Sequence, residues 1–249
     1  MIVRKIYIKS ILTKTGIEGY DYCLNPYVGC AHACRYCYAT FIKRFTGHTE
    51  PWGGFVDAKI NAPSVLERQL KTIRSGSVLI GTVTDPYQPL EKRYLITRRC
   101  LERLINNNLS ISILTKSPLV IRDIDLIKKV NCSVGITITT DREDIKRIFE
   151  PYAPPLSLRL KALETLHKEG ISTYAFIGPV LPQNPERLAN SLAGKVNSVI
   201  IDRMNYQRKV LWIYRKYMME EILSEEYFQM CVKTITEALK SDSIEVTVI

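Results

Sequence analysis

Asn25-Pro26-Tyr27-Val28-Gly29-Cys30-Ala31-His32-Ala33-Cys34-Arg35-Tyr36-Cys37-Tyr38 decides how the rest of the chain is read. It places three cysteines within eight residues, in a C-x-x-x-C-x-x-C spacing. A disulfide needs a partner thiol and an oxidising compartment, and three thiols packed this closely are an odd set with no obvious pairing. A metal centre accounts for them better. Zinc in a closed tetrahedral site would need a fourth ligand from His32, Cys23 or a distant cysteine, and no second C-x-x-C supplies it. The run of bacterial ferredoxins has two-residue gaps and a fourth cysteine followed by proline, and neither occurs here. A [4Fe-4S] cluster held by three thiolates has one iron left open to a further ligand, with zinc as the alternative.

At 249 residues and 46% hydrophobic content, the chain has enough apolar surface for the core of one large α/β domain. No apolar run approaches the ~20 residues of a bilayer-spanning helix, and Met1-Ile2-Val3-Arg4-Lys5 does not lead into a signal-peptide core. A cytoplasmic protein with no membrane partner is the expectation. A reducing compartment would keep Cys23, Cys100, Cys132 and Cys231 from pairing, and these suit buried, small apolar positions. The 35 Lys and Arg against 25 Asp and Glu leave a net charge of +10, which favours a polyanionic partner such as DNA or RNA. Many basic proteins without nucleic-acid affinity share that balance. Basic residues cluster at Lys92-Arg93, Arg98-Arg99, Arg203 to Lys209 and Arg215-Lys216, the last two interleaved with Tyr206, Trp212, Tyr214 and Tyr217. Such mixtures form stacking surfaces for single-stranded bases, or a solvated helix face with its aromatics turned to the core.

Past the cysteine run, short β-branched segments alternate with segments of helical period, the pattern of a parallel sheet with crossover helices. The expected strands are 17–23, 77–82, 110–115, 133–139, 172–177 and 198–201, six in all. Helices are expected over 62–73, 97–107, 123–130, 156–169 and 185–193, with Pro63 and Pro185 near two starts and Gly170 closing one end. The fold class is therefore α/β, a partial (β/α)6 TIM-type barrel over residues 1–203 with its cysteine loop at 25–39. Residues 204–249 read as a mostly helical C-terminal extension packed on the barrel and ending in an alternating, strand-like stretch. Sites in such barrels gather at the carboxyl ends of strands, and the cysteine loop follows the first of the six.

The run Asn-Pro-Tyr-x-Gly-Cys-x-His-x-Cys-x-Tyr-Cys-Tyr-Ala, from Asn25 to Ala39, resembles the radical S-adenosylmethionine (SAM) superfamily and, within it, the spore photoproduct lyase-like group often labelled DNA repair photolyases. Thr84-Asp85-Pro86-Tyr87-Gln88-Pro89-Leu90-Glu91, Thr97-Arg98-Arg99, Leu114-Thr115-Lys116-Ser117, Arg122-Asp123, Glu150-Pro151-x-Ala-Pro-Pro and Pro179-Val180-Leu181-Pro182 continue the resemblance in order, over about residues 20–190. It implies a [4Fe-4S] cluster on Cys30, Cys34 and Cys37, with SAM bound through its amino and carboxylate groups at the open iron. It also implies an enzyme in which an electron from a donor such as ferredoxin or flavodoxin cleaves SAM. The resulting 5′-deoxyadenosyl radical abstracts hydrogen from a substrate. Position by position, the resemblance lays Tyr36 against the adenine and puts Thr84 and Asp85 where SAM's amino group is received. Lys116 is implied to meet the SAM carboxylate or a ribose hydroxyl, Thr137 or Thr139 the ribose, and Arg159 a carboxylate. Ile177 and Gly178 would cradle adenine, and Tyr38 would line the substrate side. Plainer roles compete: Thr137 and Thr139 as β-formers, Arg159 paired with Glu150 or Glu164, Asp85 capping a turn before Pro86, and Tyr38 packing beneath the cluster.

One residue departs from the group. True spore photoproduct lyases carry a cysteine at the end of the second strand that returns a hydrogen atom to the product radical, and the matching position here is Thr82. An alcohol O–H bond is too strong for that task, which argues against repair of thymine photoproducts. The expected substrate is a nucleic acid, with a peptide, a small metabolite or a non-catalytic nucleic-acid-binding role as alternatives. Met204, Tyr206, Arg208, Trp212 and Tyr214 of the extension are further candidates for substrate contact.

Overall fold

The alternation of strands and helices expected from the sequence holds in both of the units into which the chain divides. The computed structural model describes residues 1–249. Met1–Ala33 with Ala39–Val134 form the first unit, and Cys34–Tyr38 with Gly135–Ile249 the second. Cys30 thus belongs to the first unit, Cys34 and Cys37 to the second.

The first unit contains β1 (Ile2–Ile6), β2 (Leu12–Lys14), β3 (Tyr22–Leu24), β4 (Tyr27–Val28) and β5 (Phe55–Lys59), then α1 (Ala62–Gln69), β6 (Ser75–Ile80), α2 (Glu91–Tyr94), α3 (Ile96–Leu104), β7 (Asn108–Thr115), α4 (Ile124–Ile127) and the start of β8 (Cys132–Thr137). Its main ladder runs β2-β3-β6-β7-β8, with β3, β6 and β7 parallel and β2 antiparallel to β3. Val78 and Ile80 of β6 and Ile111 and Ile113 of β7 are buried, as strands covered on both faces require. The strand expected over 17–23 is confined to Tyr22–Leu24, because Gly19 turns the chain at φ +80° and Tyr20 N–H closes a turn onto Ile17 C=O at 3.1 Å. A second sheet, β1-β5-β4, pairs Ile2–Ile6 in parallel with Phe55–Lys59.

The second unit has the ladder β8-β9-β10-β11, made of the end of β8 with β9 (Ser172–Ile177), β10 (Ser198–Ile201) and β11 (Glu245–Val248), with β9, β10 and β11 parallel. Between them lie α5 (Glu143–Phe149), α6 (Leu156–Lys168), α7 (Pro185–Leu192), α8 (Gln207–Lys216) and α9 (Glu225–Leu239). Asn184 caps α7 by accepting from Arg187 N–H at 2.9 Å, with Pro185 in the first turn, as its sequence suggests. All six expected strands are present, and strands lie in chain order along parallel ladders. That is the α/β, partial-barrel class of fold. The boundary expected at 203/204 falls inside the second unit, where Met204, Val210, Ile213 and Tyr214 share one apolar core with Cys34, Tyr36, Ile145, Phe149 and Leu181. No helix is long and apolar enough to cross a membrane.

Candidate cofactor site

The first unit holds the approach to Cys30 by its backbone. Asn25 donates from Nδ2 to Thr82 Oγ1 at 2.8 Å and accepts from Val83 N–H at 3.0 Å, so Thr82 anchors the entry of the cysteine loop. Tyr27, fully buried, donates its phenol to the buried Glu91 carboxylate. Gly29 then takes φ +82°, and a Cβ there would fall 2.5 Å from Phe55 C=O, so only glycine fits. Thr84 donates to Gly29 C=O at 2.6 Å, Gln88 donates to the same oxygen at 3.3 Å, and Gln88 Oε1 accepts from Ala31 N–H at 2.9 Å. Cys30 is thereby gripped on both sides by the block after β6.

Asp85, buried, accepts from Tyr87 N–H and Thr115 Oγ1 on one oxygen (2.9 and 2.6 Å) and from Lys116 N–H on the other at 2.8 Å, with His32 Nδ1 3.4 Å away. Asp85 therefore caps its own turn and ties it to the end of β7. Lys116 meets it through its backbone, while its side chain is half-buried.

Lys59 of β5 donates from Nζ to Asn25 C=O at 2.7 Å, at the head of the loop. Burial pulls its ammonium down to about 8, against ~10.4 for an exposed lysine. The unfolded chain therefore binds more protons than the folded one between pH ~8 and ~10.4, so the Lys59 contribution to stability rises with pH across that window. Unfolding free energies of the natural chain and Lys59→Met are expected to diverge by roughly 3 kcal/mol in favour of the natural chain between pH ~7.5 and ~10.5. A pH-independent difference would show that the amine is not desolvated.

The second unit fixes the other half of the run. Arg35 N–H donates to Phe149 C=O at 2.9 Å, Cys37 N–H to Cys34 C=O at 3.2 Å, and Lys209 Nζ to Cys37 C=O at 2.8 Å. Tyr36 is buried and donates its phenol to Glu150 Oε1, and burial, followed by the Glu150 charge, holds that phenol well above its usual ionisation range. Thr139 donates to the same oxygen at 3.1 Å, and Arg159 faces Glu150 Oε2 at 2.5 Å. The remaining Arg159 donors reach Pro154 C=O at 2.9 Å and Thr137 C=O at 3.1 Å. Arg159 therefore clamps a carboxylate of this chain, and Thr137 joins it through its backbone oxygen. Glu150 is thus the partner chosen from the two weighed for Arg159, whereas Gln88, at the centre of its network, was visible in the quoted block but carried no sequence signal of a partner.

Ile177, fully buried, ends β9, and its C=O accepts from Asp202 N–H at 3.0 Å. A Cβ on Gly178 would meet the Phe176 ring at 2.3 Å. Tyr38 is 37% exposed and stacks on Tyr206 at 5.9 Å. Of the extension residues suggested for substrate contact, Met204 and Tyr214 are core residues, whereas Tyr206, Arg208 and Trp212 are exposed.

None of the seven cysteines is in a disulfide. Burial pushes the Cys132 thiol up to about 12 and the Cys100 thiol higher still, so both are inert, as core positions imply. No three His, Cys, Asp or Glu side chains are already gathered as a ligand group. What fits Cys30, Cys34 and Cys37 to an iron-sulfur cluster is their donor chemistry, three closely spaced thiols without a disulfide, on a backbone held at Gly29, Ala31, Arg35 and Cys37.

A parallel α/β fold bearing such a run defines a class of cluster proteins, and comparisons narrow it. A sequence model of the radical SAM superfamily matches residues 24–193. Uncharacterized protein MJ0683 of Methanocaldococcus jannaschii is 40% identical over 179 residues, 72% of this chain and 67% of that protein. Uncharacterized protein Rv2578c of Mycobacterium tuberculosis is 33% identical over 191 residues, 72% of this chain but 56% of that protein. A mutant spore photoproduct lyase with dinucleoside spore photoproduct shares the fold with a TM-score of 0.74 at 13% identity, over 99% of this chain and 82% of that one. Streptococcus suis SuiB bound to S-adenosylmethionine gives 0.58 at 12% identity, over 91% of this chain and 49% of that one. The chain belongs to the radical SAM superfamily. Its cofactors are those of the superfamily, a [4Fe-4S] cluster and SAM.

Proposed function

We propose that this chain reductively cleaves SAM at a cluster held by Cys30, Cys34 and Cys37 and abstracts hydrogen from a nucleic-acid substrate, DNA or RNA. The observation that carries the reading is the cysteine run itself, held by backbone hydrogen bonds on both sides of its ligands. When bound, the cluster and SAM supply the 5′-deoxyadenosyl radical; the protein supplies position and exclusion of water. Tyr36 is kept in one orientation by Glu150, itself held by Arg159 and Thr139, and presents its ring toward adenine. Thr84, Asp85 and Arg159 act in this reading as positioning residues, because their polar groups already bind within the chain. Lys116, beyond β7, takes the SAM carboxylate or a ribose hydroxyl, with Thr137 or Thr139 near the ribose. Ile177, ending β9, and Gly178 just after it border the adenine.

The nucleic-acid assignment is supported by the net charge of +10 and by fold likeness to a lyase that binds a dinucleoside lesion. Thr82, whose hydroxyl accepts from Asn25, has no thiol to return a hydrogen atom, so the substrate is not assigned as a thymine photoproduct. Anaerobic reconstitution with iron, sulfide, dithionite and SAM is expected to yield 5′-deoxyadenosine. Its absence, together with no SAM-induced change in the cluster spectrum, would sink the radical reading. Binding to single-stranded DNA and RNA should weaken steeply with salt. No binding at low salt would remove nucleic acid as the substrate.

A further inference from the structure

The second unit concentrates positive charge on the outer side of the cysteine loop. Cys34 and Tyr36 are buried, while Arg35 between them is exposed and lies 5.5 Å from the Trp212 ring. Trp212 is 54% exposed on α8, a helix without a single Asp or Glu. Val210, Ile213 and Tyr214 take its buried face, and Arg208, Trp212 and Arg215, spaced i, i+4 and i+7, share the outer one with Lys216. Lys209, at the edge of that face, donates to the backbone oxygen of Cys37.

We infer that this face, Arg35 with Arg208, Lys209, Trp212, Arg215 and Lys216, docks an acidic one-electron carrier protein that reduces the cluster. The inference rests on the radical SAM reading above. Reduction needs a carrier close to the ligands, since electron transfer weakens steeply with distance. Here surface and ligand are separated by one peptide unit at Arg35 and one hydrogen bond at Lys209. One electron leaves the carrier, which is oxidised by one, and is taken up at the cluster, which is reduced by one. An acidic protein complements the charge, and long-range attraction steers such encounters. A single nucleic-acid strand fits the face less well. Trp212 already has Arg35 over its ring, and Tyr206 has Tyr38 stacked at 5.9 Å and Lys209 at 5.6 Å, so these rings are engaged by neighbours rather than standing clear for bases.

The test uses the reconstituted full chain with purified flavodoxin and, separately, ferredoxin as probes. Calorimetry should show that Arg215→Glu/Lys216→Glu weakens binding of the accepted carrier at low salt at least tenfold. Stopped-flow reduction by that carrier should slow in parallel, while dithionite reduction, the cluster spectrum and dithionite-driven 5′-deoxyadenosine formation stay unchanged. Lys240→Glu/Lys233→Glu, with the same change of charge on and just beyond α9, should match the natural chain. The docking assignment fails if the α8 variant keeps its affinity and rate, or if neither carrier binds the natural chain at low salt. It also fails if the variant loses single-stranded oligonucleotide binding but keeps carrier binding, which would make the face a nucleic-acid surface. No cluster spectrum in the natural chain would instead overturn the radical SAM reading on which the assignment stands.

Discussion

Cys34→Ala is expected to abolish cluster assembly and reduce 5′-deoxyadenosine formation to background, with little loss of fold. Three thiolates are the whole protein ligand set of the proposed cluster, so removing one leaves two, too few to retain it under turnover. The side chain itself is a small part of an apolar core that includes Tyr36, Phe149, Val210 and Ile213. Deleting one buried sulfur from that core costs roughly 1 kcal/mol. The informative comparison is Cys100→Ala, at a fully buried position on α3. That variant should lose stability of the same order, roughly 1 kcal/mol, yet keep cluster absorption, iron content and SAM cleavage. If Cys34→Ala retains the cluster spectrum and turnover, the ligand assignment is wrong. If both variants lose the cluster, general destabilisation is the cause.

Arg159→Met should produce the largest loss of stability of any single side-chain change considered. Arg159 and Glu150 are both fully buried, and the pair is joined by the Tyr36 phenol, the Thr139 hydroxyl and two backbone oxygens. Removing the guanidinium leaves a buried carboxylate without its counter-charge, and breaking a buried pair in this way costs about 3–5 kcal/mol. For a chain of this length that is a fall in melting temperature on the order of 10 °C. Adding Glu150→Gln removes the orphaned charge while keeping an acceptor for Tyr36 and Thr139, so the double variant should recover much of the loss. Thermal melts of the four proteins of the cycle measure this directly. A double variant no more stable than Arg159→Met would show that packing, and not charge, sets the cost. Because Glu150 also holds Tyr36 between Cys34 and Cys37, Arg159→Met should further broaden the cluster's SAM-induced spectral change.

Much of the architecture was legible locally. The β-branched runs at 172–177 and 198–201 became β9 and β10 at the residues expected, and Asn184-Pro185 opened α7 as capping chemistry requires. Where local signals misled, glycine was decisive: the strand expected at 17–23 is cut to Tyr22–Leu24 by the turn at Gly19. The cysteine spacing pointed to a three-thiolate metal centre because that pattern lies entirely within eight consecutive residues.

Pairings between distant residues could not be read this way. Nothing near Ile2–Ile6 announces Phe55–Lys59 as its partner strand, and a strand's neighbour is set by topology, not by its own period. Arg159 had Glu150 and Glu164 as equal sequence options, and the fold chose Glu150 by burying both charges, where an unpaired one would be costly. Asp85 likewise fills its acceptor sites with Tyr87, Thr115 and Lys116, two of them some thirty positions away. On the extension, aromatic and basic residues looked alike in sequence, yet rotation about α8 buries Tyr214 with the core and leaves Arg208 and Trp212 outside, while Met204, ahead of the helix, is buried too. The sequence by itself therefore determined the element pattern and the family, because those reside in short-range spacing. Tertiary structure alone decided which charges are satisfied inside and which face outward, because a side chain's partners exist only once distant segments have met.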